Sequence, residues 1–218
     1  AAPRITSATN PDPEKWGDNS HPKFSWPLSS DITGVSILVT QSPSSNPGSV
    51  SDGVFSTRTQ LVEDGIWYLH LRLRNRFGWS AISHYKFQVD TVRPYSFEIL
   101  EVDKTDLTDP VAIFSLKASD ALSGIDHYDI QVDGDEAQKV TENIYKTGNL
   151  TAGKHILVAK VYDKAGNFMA DSMEFSVAEI NSPTINKLPD KLITGDILKV
   201  SGKTYPNSGP LAFHAPTG

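Results

Sequence analysis

Cysteine is absent from this 218-residue chain. No disulfide, thiolate nucleophile or cysteine-held metal is therefore part of its chemistry. Small secreted modules often carry disulfides, but their lack alone does not place a chain in the cytosol. No run of apolar residues approaches the ~20 needed to cross a bilayer as a helix. Positive charge is not in excess: the formal net charge is −6, which argues against general binding to nucleic acid or to an anionic membrane. No Gly-x-Ser-x-Gly elbow occurs. The six histidines, His21, His70, His84, His127, His155 and His214, show no paired zinc spacing. A long helical periodicity is missing too. No leader peptide is visible, and the Ala1-Ala2-Pro3 start suits a mature terminus or an internal edge equally.

What the chain does have is turns and alternation. Its 14 prolines and 15 glycines are spread along the length, which suits many short strands. Apolar content is 38%, and nine Phe, four Trp and seven Tyr can fill small cores. At ~100 residues per β-sandwich, the length suggests two modules and a remainder.

The clearest stretch is Leu61–Asp90. Trp67, Leu69, Leu71 and Leu73 alternate with Tyr68, His70, Arg72 and Arg74. After a turn at Asn75–Gly78, Tyr85, Phe87 and Val89 alternate with His84, Lys86 and Gln88. A period of two predicts a hairpin with one buried and one wet face, which a second sheet must cover. Upstream, Phe24 and Trp26 flank Ser25 before Pro27, and Val35, Ile37 and Val39 form another inward set. Residues 42–53 read as a loop or ragged edge.

Downstream of the Asp90–Pro94 linker, the inward sets are Tyr95, Phe97, Ile99; Phe114, Leu116, Ala118; Tyr128, Ile130, Val132; Leu157, Ala159, Val161; and Met173, Phe175, Val177. Turns are expected at Asp120–Gly124, Asp133–Asp135, Ala152–Gly153 and Lys164–Asn167. Gly65 and Gly78 stand 13 residues apart, as do Gly153 and Gly166, the spacing of one plan used twice.

These residues carry two resemblances. Phe24-Ser25-Trp26, Ile32–Val35, Leu61 with Trp67 six positions on, and Arg74–Ser80 resemble a fibronectin type III module over about residues 3–90. That family places a Trp in its core and a tyrosine at the corner before its sixth strand. Here Trp67 stands at the corner, with Tyr68 beside it, and the corner hydroxyl is missing. Asp120–Asp126 and Tyr162–Asn167 resemble a bacterial immunoglobulin-like module, with its Asp-x-x-Ser-Gly and Asp-x-Ala-Gly-Asn turns, over about residues 93–178. Residues 184–218 resemble the opening of a third.

The reading is all-β: tandem immunoglobulin-like and fibronectin type III-like β-sandwiches. Residues 1–91 make the fibronectin type III-like sandwich and 92–179 the immunoglobulin-like one. Residues 180–218 begin a third, incomplete module, so the chain is expected to continue past Gly218. No catalytic residue and no cofactor is assigned. The expected role is that of non-catalytic spacer modules in an extracellular bacterial surface protein, presenting or linking other domains of the same polypeptide. Alternatives are an adhesive or carbohydrate-binding module, an accessory region of a polysaccharide-degrading enzyme, or a fibre or surface-layer subunit. Candidate ligand contacts are Trp79, Tyr68, Tyr85, Arg72 and Arg74, with Trp16 a further half-exposed aromatic. Calcium candidates are Asp103, Asp106 and Asp109, since hard cations need several oxygens together. Asp120, Asp126, Asp133, Asp135 and Glu136 read as turn residues that bond their own backbone. His70 and His84 read as solvated cross-strand neighbours on an outward face, a reading weighed against metal binding by the pair. Asn149-Leu150-Thr151 fits the glycan acceptor pattern, which matters only in a eukaryotic secretory host. Partners would be protein, glycan or further copies of the chain, with neither nucleic acid nor membrane insertion.

Overall fold

The computed structural model describes residues 1–180, and every regular element in them is a strand. The third module expected over 180–218 lies outside the described residues but for its first position, as does His214.

In the first sandwich, β1 (Thr6–Ser7), β3 (Lys23–Ser25) and β5 (Thr57–Thr59) form one sheet in the order β1-β3-β5. The facing sheet runs β2 (Trp16–Gly17), β8 (Ser83–Val89), β6 (Gly65–Asn75), β4 (Gly34–Thr40), and the short β7 (Gly78–Trp79) pairs with β6. Ladders are antiparallel except β2 with β8. The register sets Val35 opposite Leu73, Ile37 opposite Leu71 and Leu69 opposite Tyr85, so the expected inward residues share one face. Phe24, Val35, Leu69, Leu71, Phe87 and Val89 are wholly buried there, with Trp26 nearly so. Each contributes about 1.5–3 kcal/mol relative to exposure. Phe24 lies edge-on to Tyr85 at 5.8 Å and tilted to Phe87 at 4.9 Å.

In the second sandwich, β9 (Tyr95–Glu101), β10 (Ile113–Ser119) and β13 (Ile144–Lys146) form one sheet. The other runs β12 (Gln138–Val140), β11 (Ile125–Val132), β14 (Gly153–Asp163), β15 (Phe168–Val177). Phe114, Leu116, Ile130, Leu157, Ala159 and Val161 fill the core. Phe175 meets Phe114 edge-on at 4.9 Å. Tyr95, placed inward by pattern, is instead 50% exposed at the start of its strand.

The glycine echo has a structural basis. Gly65 and Gly153 open the two 11-residue strands β6 and β14 with φ of 140° and 138°. Side chains rarely adopt that backbone geometry, so glycine is required where the chain enters each strand.

Two local expectations are corrected. The wet face of β6 is not wet at His70, which is fully buried, because the β4–β5 connection folds over it. Ser36 Oγ donates to the Pro47 carbonyl at 2.9 Å, Arg72 Nη1 to Gly48 at 3.3 Å and Thr40 Oγ1 to Ser42 at 3.1 Å. At the corner, the indole N–H of Trp67 donates to the Glu63 carbonyl at 2.8 Å. Trp67 thus supplies by nitrogen the corner hydrogen bond that a tyrosine hydroxyl would supply. Leu61 stays exposed, and Val62 enters the core in its place.

Candidate functional site at the junction of the two sandwiches

The first sandwich ends with β8, and its next residue, Asp90, is fully buried. The Asp90 amide donates to Gly17 on β2 at 3.0 Å, which anchors the residue in the first sandwich. Its carboxylate faces both ways: Oδ1 accepts from the Val92 amide at 3.1 Å, Oδ2 from the Ser123 amide at 3.0 Å. Ser123 belongs to the β10–β11 turn of the second sandwich. Thr91 is tied back to Asp64, which accepts from its amide at 2.9 Å and its hydroxyl at 3.0 Å. Pro94 is buried and fixes φ as the chain enters β9.

The second sandwich answers with the two turns that resembled the immunoglobulin-like family. Asp120 Oδ1 accepts from the Leu122 amide at 3.0 Å and the Gly124 amide at 2.7 Å. Asp163 Oδ1 accepts from the amides of Ala165, Gly166 and Asn167 at 2.9, 2.7 and 2.9 Å. Asn167 then reaches across the boundary: its Nδ2 donates to the Asp90 carbonyl at 2.8 Å and to Asp163 Oδ2 at 2.8 Å. The Lys164 amide donates to the Gly124 carbonyl at 3.0 Å, joining the two turns.

Asp90, Asp120 and Asp163 each bring one carboxylate oxygen within 4.8 Å of the others. Asp163 is 2% exposed, and burial pushes its carboxyl above the ordinary range against the hydrogen bonds that favour the anion. Among the described residues, no ion pair links any of the three to a lysine or arginine. The donor set has the oxygen chemistry of a calcium or magnesium ligand group. The compensation present comes from amide N–H groups.

Beside this cluster, Glu14, Lys15 and Trp16 of the first sandwich and Asp126 and Lys164 of the second line a cleft of about 330 Å³.

The candidates chosen from sequence lie elsewhere: among the described residues Asp103, Asp106 and Asp109 do not gather into one ligand group, whereas Arg72, Arg74 and Trp79 do come together. Asp106 Oδ1 accepts from the Thr108 amide and hydroxyl, and Asp109 Oδ1 from the Val111 amide, so both shape the β9–β10 turn. Asp103 is exposed on the same connection. Arg72 and Arg74 hold their guanidinium carbons 5.5 and 5.4 Å from the Trp79 ring centre, a cation–π stack on the outer face of β6. Tyr68 is half-buried and stacks on His70 at 6.5 Å. Tyr85 sits on the inner face against Phe24, its hydroxyl donating to the Asn10 carbonyl at 2.7 Å. Sequence reasoning read Asp90 only as a linker residue. Asp120, Asp163 and Asn167 were visible as turn motifs, without sign that all three meet Asp90.

Several solved structures resemble the chain. The fibronectin(III)-like modules of Clostridium thermocellum CbhA are 18% identical, covering 80% of this chain and 94% of theirs, with a TM-score of 0.48. The FN1–FN3 domains of chicken CNTN1 are 15% identical, covering 82% and 68%, with a TM-score of 0.40. A group of titin domains is 15% identical, covering 82% and 67%, with a TM-score of 0.50. A scan against protein-family models gave no match, and neither did a search of curated proteins. At such identities the likeness speaks to the fold alone: the described residues are built as fibronectin type III-like and immunoglobulin-like β-sandwiches.

Proposed function

We propose that the chain serves as a pair of non-catalytic spacer modules in an extracellular bacterial surface protein, holding other domains of the same polypeptide at a set distance and orientation. The observation that carries this reading is the doubly tied linker. Asp90 and Thr91 are bonded to the first sandwich, while the Asp90 carboxylate and carbonyl are bonded to Ser123 and Asn167 of the second. A flexible tether leaves its backbone to water. Here every bond across the boundary limits one angle between the bodies. Stiffness of this kind suits a part whose task is spatial.

A spacer reading also fits the outer faces. To stack on a sugar, Trp79 would have to release guanidinium groups already placed over its ring.

The test is small-angle scattering on the full chain and on Asp90→Ala and Asn167→Ala variants. The parent is expected to fit a single arrangement of two rigid bodies. Both variants are expected to stay folded and to need a broad ensemble of angles. A parent profile that already requires such an ensemble would overturn the reading.

A further inference from the structure

On the outer face of the first sandwich, His70 of β6 and His84 of β8 are directly opposed in the ladder. Their Nδ1 atoms are 2.6 Å apart. Two bare nitrogens do not approach so closely, and two N–H groups would repel, so one proton lies between them.

The surroundings say which nitrogen is bare. Thr40 has one hydroxyl proton, and it points to the Ser42 carbonyl and Ser45 hydroxyl. Thr40 Oγ1 also accepts from the Ser42 amide at 3.2 Å. With that proton engaged, we assign His70 Nε2, 2.9 Å from the Thr40 oxygen, as the donor. An Nε2–H tautomer leaves His70 Nδ1 as a lone pair, aimed at His84. The β4–β5 connection seals this ring completely, while His84 is exposed. One ligand is thus fixed in orientation and tautomer by its neighbours, as the outer partners of metal-binding histidines do. The other is free to adjust at the surface.

We infer that His70 and His84 form a two-histidine site for a borderline transition-metal dication, of which zinc is the simplest case. The ion takes the place of the shared proton: each Nδ1 donates a lone pair to it, the His84 proton passes by way of solvent from Nδ1 to the exposed Nε2, and water completes the coordination. Zinc–nitrogen bonds of about 2.0–2.1 Å at a tetrahedral angle set the nitrogens roughly 3.3 Å apart. His84 can open the gap by that amount through side-chain rotation. The groups facing the pair select the class of ion. Arg72 follows on β6, Lys86 follows on β8 and pairs with Glu14 at 2.7 Å, and Tyr68 stacks on His70. Among the described residues, no third histidine, aspartate or glutamate joins the pair. Two imidazoles in a basic setting exclude calcium and magnesium, which require several oxygens.

The experiment is a titration of the full chain with zinc chloride near neutral pH, followed by calorimetry and by long-range nitrogen–proton spectra of the histidine rings. Saturation is expected at one ion per chain, with the His70 and His84 ring signals moving together and His84 passing from the Nδ1–H to the Nε2–H tautomer. His84→Gln is expected to lower the affinity about 10-fold or more, without loss of fold, since His84 is exposed. Thr40→Val, which unlocks the tautomer, is expected to weaken binding about 10-fold. Unmoved His70 and His84 signals, or equal affinity in His84→Gln, would show that the pair is a hydrogen bond only.

Discussion

Asn167 donates its side-chain amide to the main-chain carbonyl of Asp90 at 2.8 Å, and those two residues belong to different sandwiches. The same Nδ2 also holds the Asp163 carboxylate. One side chain therefore joins a turn, a buried acid and the linker.

Asp163 is the acid most exposed to a test by pH. Burial raises its carboxyl above the value it has in the unfolded chain, so the folded state binds the proton more tightly. Stability must then fall as pH rises from the ordinary carboxylate range through the folded value. Asp163→Asn is expected to flatten that part of the profile. Asp163→Ala strands three amide donors and is expected to cost about 2–4 kcal/mol. Urea midpoints of the variants across acid pH check both outcomes.

A second pH effect belongs to a histidine and its carboxylate partner. His155 Nδ1 sits 2.6 Å from Asp133, and its Nε2 donates to the Thr151 carbonyl at 2.8 Å. Burial disfavours the His155 cation, but these two bonds outweigh it and raise the imidazole. The hydrogen bond from His155, then that from the Ile156 amide, lowers Asp133. The pair stabilises fully between the unfolded values of the two groups, about pH 4 to 6.5. It is lost as pH rises through the folded His155 value, and as pH falls through the folded Asp133 value. Asp133 is 39% exposed, so screening holds the gain to about 1 kcal/mol. His155→Gln should remove the decline on the alkaline side, read from urea melts.

All four tryptophans, Trp16, Trp26, Trp67 and Trp79, precede residue 91. Trp26, Trp67 and Trp79 lie within the first sandwich, and Trp16 lines the junction cleft, so the fluorescence reports chiefly the first sandwich. Leu157→Ala empties a fully buried position in the second core and is expected to cost about 2–5 kcal/mol there. Circular dichroism should show the early transition, while the fluorescence transition moves less. Coincident shifts of equal size would mean that the two bodies unfold as one.

The corner bond offers a smaller test. Trp67→Phe keeps a ring but removes the donor to Glu63 and is expected to cost about 1 kcal/mol. Equal midpoints for the parent and Trp67→Phe in urea would show that packing alone holds the corner.

The inward residues were legible because a strand turns each successive side chain to the opposite face. Phe24, Leu69, Leu71 and Phe87 in one core and Phe114, Leu157 and Val161 in the other follow that rule. His70 did not. Its burial comes from a connection whose Ser, Pro, Asn and Gly residues signal a loop but not where the loop lies. The aspartate turns were legible as caps, since each carboxylate bonds amides two to four residues on. That Asp90, Asp120 and Asp163 converge was not, because they are separated by whole strands.

By itself the sequence determined the sheet class, the buried faces and the turns, since alternation and turn chemistry act between near neighbours. Tertiary structure alone decided that a folded-back loop buries His70 beside His84, and that Asn167 closes on Asp90. Those contacts depend on strand register and on how one body sits against the next, and neither leaves a local pattern to read.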